Sequence, residues 1–307
     1  MKRVLVTGAS GFIGRHCLPI LLERDYEVHG VYLENSVPMP NIIWHQADLL
    51  DPHDTLALVS EISPSHLLHF AWYAKPGKFW TAVENLAWVE ASLGLLRAFT
   101  QNNGERAVFA GSCAEYDWRY GYCSESVTPL APASMYGTCK NALRLLLGSF
   151  TEQIGLSFAW GRIFFLFGPH EYEERLVASV THSLLEGRTA LCSHGNQVRD
   201  FLYVQDVADA FVSLLDSVVL GPVNIASGKP ITLQALVFKI AEIIGADSGL
   251  VKLGALEAPI NDPALLVAAV ERLSAEVGWI PTFSLDRGLE QTISQWRHVL
   301  SSRGALT

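Results

Sequence analysis

Tyr136 and Lys140 stand four residues apart in YGTCK (136–140), and Ser112 ends the apolar run RAVFAGS (106–112). A spacing of four puts the tyrosine and lysine on one face of a helix. A free phenol ionises at about pH 10, too high for a base at neutral pH. An adjacent ammonium favours phenolate over phenol, so the pair can pass a proton to or from an alcohol or carbonyl oxygen. Ser112 can hydrogen-bond the same oxygen. Alone, such a pair is an ordinary feature of a helix surface; the serine at the end of the preceding strand gives it a chemical reading. The neighbouring Cys113 in AGSCAEYD (110–117) raises a second chemistry, attack by a serine or cysteine nucleophile. A nucleophile elbow carries glycine on both sides of the attacking residue, and GSCAE has only the first.

A proton-transfer pair of this kind works beside a group that exchanges electrons, and VTGASGFIG (6–14) offers it a place. Gly8, Gly11 and Gly14 follow a β-rich run directly and open a helix. Their spacing, G-x-x-G-x-x-G, is one residue longer in its first step than the commoner dinucleotide fingerprint. Glycine lets backbone approach a pyrophosphate, and unpaired N–H groups at a helix start attract its charge. Phe12, Ile13 and Arg15 lie in the same turn. Dinucleotide folds place an acidic residue at the end of the second strand for the ribose hydroxyls. Here Tyr32 holds that position, with Glu34 two residues on. No arginine cluster for a 2′-phosphate stands there, although Arg15 can reach one, so NAD and NADP both stay open. Asp48, followed by Leu49, ends the third strand and is a candidate adenine contact. The competing reading of Asp48 is a strand-end or helix-capping aspartate ahead of Pro52.

These residues need elements to position them, and the chain alternates short β-rich runs with amphipathic stretches. The runs are KRVLVTG (2–8), YEVHGVYL (26–33), NIIWHQADL (41–49), HLLHFAW (66–72), RAVFAGS and LSFAWGRIFFLFG (156–168). Helices are expected over about 12–24, 52–62, 81–102 and 135–150. Such alternation predicts βαβ units, hence an α/β fold: a Rossmann-type doubly wound parallel sheet covered on both faces. After residue 168 the pattern loosens, and a smaller C-terminal substrate lobe is expected. Residues 1–162 with about 197–227 make the dinucleotide-binding domain, and about 163–196 with 228–307 the lobe.

Half of the residues are hydrophobic and 17% are charged, which supports a sizeable core and argues against disorder. With a net charge of −9 and no basic block, nucleic acid is a poor partner. The five cysteines lack a C-x-x-C pair and the ten histidines lack ligand spacing, so reduced thiols and no metal are expected. The first apolar run reaches glycine after four residues, and no other run approaches a membrane span. A soluble, cytoplasmic protein is the expectation.

The TGASGFIG loop, the strand-end serine and YGTCK together resemble the extended short-chain dehydrogenase/reductase family, of the NAD-dependent epimerase/dehydratase type, whose members act on nucleotide-activated sugars. The similarity continues along nearly the whole chain in RIFFLFGP (162–169), QVRDFLYVQDVADAF (197–211) and GPVNIASGKPITL (221–233). The resemblance implies NAD or NADP as cofactor, a nucleotide-sugar substrate, and a homodimer formed through helices at about 81–102 and 136–152. It implies that Tyr136 is the acid/base, and that Lys140 is its partner and also holds the nicotinamide ribose. Ser112 matches the catalytic serine, because Tyr116 four residues on matches the family's strand-end tyrosine. Phe70 and Ala71 match backbone that passes the cofactor. Arg199 matches an arginine that contacts the nucleotide diphosphate, a role suited to its planar fork; an ion pair with Asp200 or Asp206 is the alternative. In AWYAKPGKFW (71–80), Trp72, Tyr73 and Trp80 can stack on sugar or nicotinamide, with Lys75 and Lys78 near phosphate. Lid packing is the other reading there.

Departures from the family pattern bear on the reaction. Family 4,6-dehydratases carry an Asp-Glu pair directly after the catalytic residue; Cys113 and Ala114 stand there, which disfavours that dehydration. Phe165 replaces an asparagine of many family epimerases and implies a differently shaped sugar site. Residues 253–279 are similar to reductases of 4-keto deoxysugars. The expectation is a 4-ketoreductase of an NDP-4-keto-deoxyhexose, in deoxysugar biosynthesis. An epimerase working through a transient 4-keto intermediate uses the same residues. Epimerisation at another carbon needs an extra acid or base, for which Cys113, His170 and His182 are candidates. A non-catalytic dinucleotide-binding redox sensor would keep the loop and lose the Ser112–Tyr136–Lys140 trio, which is intact.

Overall fold

The computed structural model describes residues 2–258 and 262–304. In chain order the strands are β1 (Arg3–Thr7), β2 (Glu27–Tyr32), β3 (Ile42–Gln46), β4 (His66–His69), β5 (Arg106–Ser112), β6 (Tyr122–Cys123), β7 (Ser157–Ile163), β8 (Phe165–Phe167), β9 (Ala190–Leu191), β10 (Val198–Tyr203), β11 (Gly221–Ile225), β12 (Pro230–Thr232), β13 (Val251–Lys252) and β14 (Leu265–Ala268). The α-helices are α1 (Gly14–Glu23), α2 (Pro52–Ile62), α3 (Glu84–Gln101), α4 (Met135–Ile154), α5 (Leu176–Leu185), α6 (Val204–Asp216), α7 (Leu233–Ile244) and α8 (Leu285–Ser302).

Seven strands form the main sheet in the order β3-β2-β1-β4-β5-β7-β11, and every pairing is parallel. Parallel neighbours need long crossovers, which the helices supply. Successive strand residues point to opposite faces, so the unbroken apolar runs fill two cores. Val4, Val6 and Val108 pack with Leu18 and Leu21 of α1 and Phe211 of α6. Leu5, Leu67 and Phe109 pack with Leu58 of α2, Leu95 of α3 and Leu143 of α4. The chain steps outward from β1 to β3 and then returns to β4 on the other side of β1. The crossovers on the two sides of β1 therefore run to opposite faces of the sheet, the switch in strand order at which open α/β sheets bind ligands.

The run LSFAWGRIFFLFG breaks at Phe164. β7 stays in the main sheet, whereas β8 pairs with β10 and sets Phe165 opposite Phe201. β10 also joins β12 and β14, and β14 joins β6, which makes a second sheet. The stretch 197–227 thus contributes β10 to the second sheet, and α6 and β11 to the first. α3 begins at Glu84 instead of 81, and α4 runs on to Ile154 before Gly155 ends it in the left-handed region. α2 is capped by Asp51, which accepts from the His53 N–H, and not by Asp48. Among the described residues no helix is long and apolar enough to cross a membrane, and no His, Cys, Asp or Glu cluster suits a metal ion.

Candidate active site

Gly8 has φ +64°, and a Cβ there would lie 2.9 Å from the Ala71 nitrogen. The loop after β1 thus rests against the chain leaving β4. Thr7 ties the two together: its carbonyl accepts from the Phe70 N–H and its hydroxyl from the Ala71 N–H. A Cβ on Gly14 would overlap the Gly8 carbonyl oxygen, so glycine is required for α1 to start against the loop. No side chain caps α1, and such a helix start is suited to phosphate. Phe12 and Ile13 form the turn between Gly11 and Gly14. Arg15 folds back, its guanidinium donating to the carbonyls of Ser10 and Gly11. Across β2 and β3, Tyr32 meets Trp44 edge-on, and exposed Asp48 accepts from the Leu50 N–H beside buried Leu49.

β5 ends at Ser112 and the chain turns at residues 113–115. Ser112 Oγ accepts from the Ala114 N–H, while Glu115 Oε1 accepts from the Ser112 N–H at 2.8 Å, a reciprocal capping box. α4 starts against this turn. Ser134 caps it by accepting from the Gly137 N–H, and a Cβ on Gly137 would overlap the Ala114 carbonyl. That close approach sets Tyr136 beside Ser112, with Lys140 one turn further along the helix. Lys140 Nζ donates to the Ala110 carbonyl at 2.9 Å and lies 6.0 Å from the Tyr136 ring centre. The structure therefore brings together the three residues on which the chemical reading was built.

Burial draws the Lys140 ammonium down to about 7, opposed by Glu115. Burial also holds the Tyr136 phenol above its ordinary range, and the Ser112 hydroxyl pulls it back. Lys140, brought down to about 7, loses its proton before the resting phenol ionises, so it does not lower the phenol there. Cys113 is pushed far above the ordinary thiol range by burial, so it stays a thiol. His170 lies near Arg15 and His16, and His182 packs edge-on against Trp296.

Beside Tyr136 the walls are aromatic. Phe79 and Trp80 meet its ring edge-on at 4.9 and 5.8 Å, and Trp118 meets Trp80 at 6.0 Å. Trp118 Nε1 donates to the Cys113 carbonyl, and the Arg175 guanidinium lies 5.4 Å from the centre of Phe79. Trp72 carries Lys140 Nζ 3.6 Å from its ring centre, so that face is already covered.

Arg199 is buried and donates to Asp262 Oδ1 at 2.5 Å and to its neighbour's carbonyl, with Phe165 5.3 Å away. Neither Asp200 nor Asp206 is its partner. Asp200 accepts from Ser227 and Gly228, and Asp206 from Thr282 and Phe283.

Glu115, which the chemical reading passed over, is the hub beneath the site. It is fully buried and accepts from Ser112, from Trp160 Nε1 and from Arg162 Nε, each at 2.8 Å. Arg162 in turn donates to the Tyr116 hydroxyl, which donates to Asn224 Oδ1. The S-x-x-E spacing of Ser112 and Glu115 was the available sign.

With a glycine loop on β1 and a Ser–Tyr–Lys trio between β5 and α4, the architecture is that of a dinucleotide-dependent enzyme class. The chain belongs to the NAD dependent epimerase/dehydratase family, whose model matches residues 4–226. It is 25% identical to UDP-glucuronic acid decarboxylase 1 of Xenopus tropicalis, over 97% of this chain and 73% of that one. It is 24% identical to dTDP-D-glucose 4,6-dehydratase of Homo sapiens, over 96% of this chain and 90% of that one. The UDP-glucose 4-epimerase of Thermus thermophilus, solved in complex with NAD, is 27% identical and superposes with a TM-score of 0.84, covering 96% of this chain and 99% of that one.

Proposed function

We propose that this protein is an NAD-dependent oxidoreductase of nucleotide sugars that reduces the 4-keto group of an NDP-4-keto-deoxyhexose. The observation that carries the proposal is the Ser112–Tyr136–Lys140 cluster at the end of β5. Ser112 Oγ spends a lone pair on the Ala114 N–H, which leaves its own hydrogen for the substrate oxygen or the Tyr136 phenol. Tyr136 gives its proton to the C4 oxygen as negative charge develops there, and Ser112 orients that oxygen. Lys140, charged, stabilises the phenolate left behind.

The glycine cradle fits a dinucleotide because the missing Cβ of Gly8 is what lets the loop lie against Ala71. Gly8, Gly11, Phe12, Ile13, Gly14 and Arg15 would hold its diphosphate, and Tyr32, Asp48 and Leu49 its adenosine. Phe70 and Ala71 would pass its middle, and Tyr136 and Lys140 would hold the nicotinamide ribose. When bound, the reduced nicotinamide would supply a hydride, the electron pair together with the hydrogen that ends on C4. NAD is favoured over NADP by the 4-epimerase relative solved in complex with NAD.

Cys113 and Ala114 offer no carboxylate for a 4,6-elimination, which argues against dehydration although several relatives are dehydratases. The aromatic wall of Phe79, Trp80 and Trp118 suits a sugar poor in hydroxyls. Arg199 would contact the diphosphate in exchange for Asp262, with Phe165 beside it. A second copy would pair through α3 and α4, where Val83, Leu86, Leu145 and Leu146 are exposed. The epimerase reading draws support from the 4-epimerase relative and uses the same trio.

The test is turnover of a 4-keto-6-deoxy nucleotide sugar with NADH and with NADPH. One cofactor oxidised per sugar is expected, with loss of at least about 10²-fold in Tyr136→Phe. Turnover without net cofactor consumption would give the site to an epimerase. Unchanged activity in Tyr136→Phe would remove the trio from the chemistry.

A further inference from the structure

The ring of Trp72 lies under the Lys140 ammonium, with Nζ 3.6 Å from the ring centre. A cation seated on an indole face is attracted by the ring's negative quadrupole, most strongly where water is excluded. Lys140 is 3% exposed. Trp160 also faces it, but from 6.0 Å.

The Trp72 ring is fixed from two sides. Its Nε1 donates to Asn85 Oδ1 at 2.8 Å, and Trp88 of α3 stacks on it with ring centres 6.2 Å apart. Asn85 is itself fully buried, and its amide donates to the carbonyls of Phe79 and Ala82. A buried asparagine with every strong partner made is a rigid anchor. The first turn of α3 therefore sets the plane on which Lys140 rests.

Lys140 forms no ion pair within 4 Å among the described residues. Its direct acceptor is the neutral Ala110 carbonyl. The charged or titratable groups that face it are Glu115 from the turn after β5, His69 at the end of β4, and Tyr136 on its own helix. His69 is neutral: burial brings it down to about 3, and it bridges Thr7 and Ser92.

We propose that Trp72 is a positioning residue for Lys140, its clamped indole face holding the ammonium charged and in place one helical turn from Tyr136. This rests on the proposed role of the Tyr136–Lys140 pair, yet it is a statement about Lys140 itself and can be read without turnover.

The experiment is an NMR titration of lysine ε-carbons in the full chain, with Lys140→Met identifying the resonance. Wild type is compared with Trp72→Leu and Trp72→Phe. Leucine keeps the site apolar and removes the π face, so the charged-to-neutral ratio of Lys140 at fixed pH should fall about tenfold. Phenylalanine should retain most of the wild-type midpoint. A second measurement keeps the protein's shape: biosynthetic 5-fluoro- and 5,7-difluorotryptophan weaken the ring's negative face stepwise, and the Lys140 midpoint should drop stepwise with them. A midpoint unmoved by fluorination, or one that stays or rises in Trp72→Leu, would overturn the proposal. The pH profile of kcat separates it from the reading beneath it. If the Lys140 midpoint moves and the kcat profile does not, the platform stands and the acid/base role of the pair fails.

Discussion

Replacing Glu115 by leucine removes the carboxylate that forms the 2.8 Å ion pair with Arg162. Both side chains are essentially without solvent, at 0% and 1% exposure, and their 2.8 Å contact is supplemented by the Ser112 and Trp160 N–H donors. Breaking a buried pair from one side leaves a charge that neither water nor protein compensates, at a cost of about 3–5 kcal/mol. Each stranded N–H adds up to about 1–3 kcal/mol where the leucine keeps water out. Against a total stability on the order of 5–15 kcal/mol, Glu115→Leu should come close to unfolding the chain. Urea denaturation followed by circular dichroism measures this directly. Adding Arg162→Met to Glu115→Leu should restore about 2 kcal/mol or more, because the orphaned charge goes with it. A single variant within about 1 kcal/mol of wild type would refute the argument. So would a double variant that loses the sum of the two singles.

Gly8→Ala should fold, yet bind dinucleotide at least about tenfold more weakly by calorimetry, since its Cβ presses on Ala71 at a positive φ. Unchanged affinity would mean that the loop does not cradle the ligand. Burial pushes the Glu171 carboxyl up to about 8. The native state therefore binds a proton that the unfolded chain has released between about pH 4.5 and 8, and stability falls as pH rises through that window. The advantage of Glu171→Gln over wild type should accordingly grow from pH 5 to pH 8.5, and a pH-independent difference would contradict it. Arg199→Lys should weaken nucleoside diphosphate binding about tenfold and leave dinucleotide binding alone; equal losses for both would place Arg199 outside the diphosphate site.

The glycine loop and the Ser112–Tyr136–Lys140 trio could be read from the sequence because local spacing encodes them. Gly8 and Gly14 sit at one strand-to-helix turn, and Tyr136 and Lys140 on one helix face. What escaped reading depends on which strands become neighbours. Arg162 lies on β7 and Glu115 follows β5, and only the β5–β7 register brings them together. Trp72 could be read as a ligand platform or as lid packing; the position of Asn85 on α3, which sets its ring under Lys140, has no local signature. The break at Phe164 was hidden because an apolar run looks the same whether one strand or two pass through it. Asp48 and Asp51 both precede Pro52, and only the fold decides which of them caps α2.

One buried residue, Phe164, joins β7 of the first sheet to β8 of the second, and its N–H is bonded to the Ile225 carbonyl of β11. The chain then crosses back through β10 and α6 before β11 completes the first sheet. Neither sheet can be excised by cutting the chain once, because their strands alternate along the sequence. Such an architecture cannot diversify by shuffling modules. On the proposed reading, a change of sugar would be met by single substitutions around a fixed frame, at positions such as Cys113, Ala114 and Phe165.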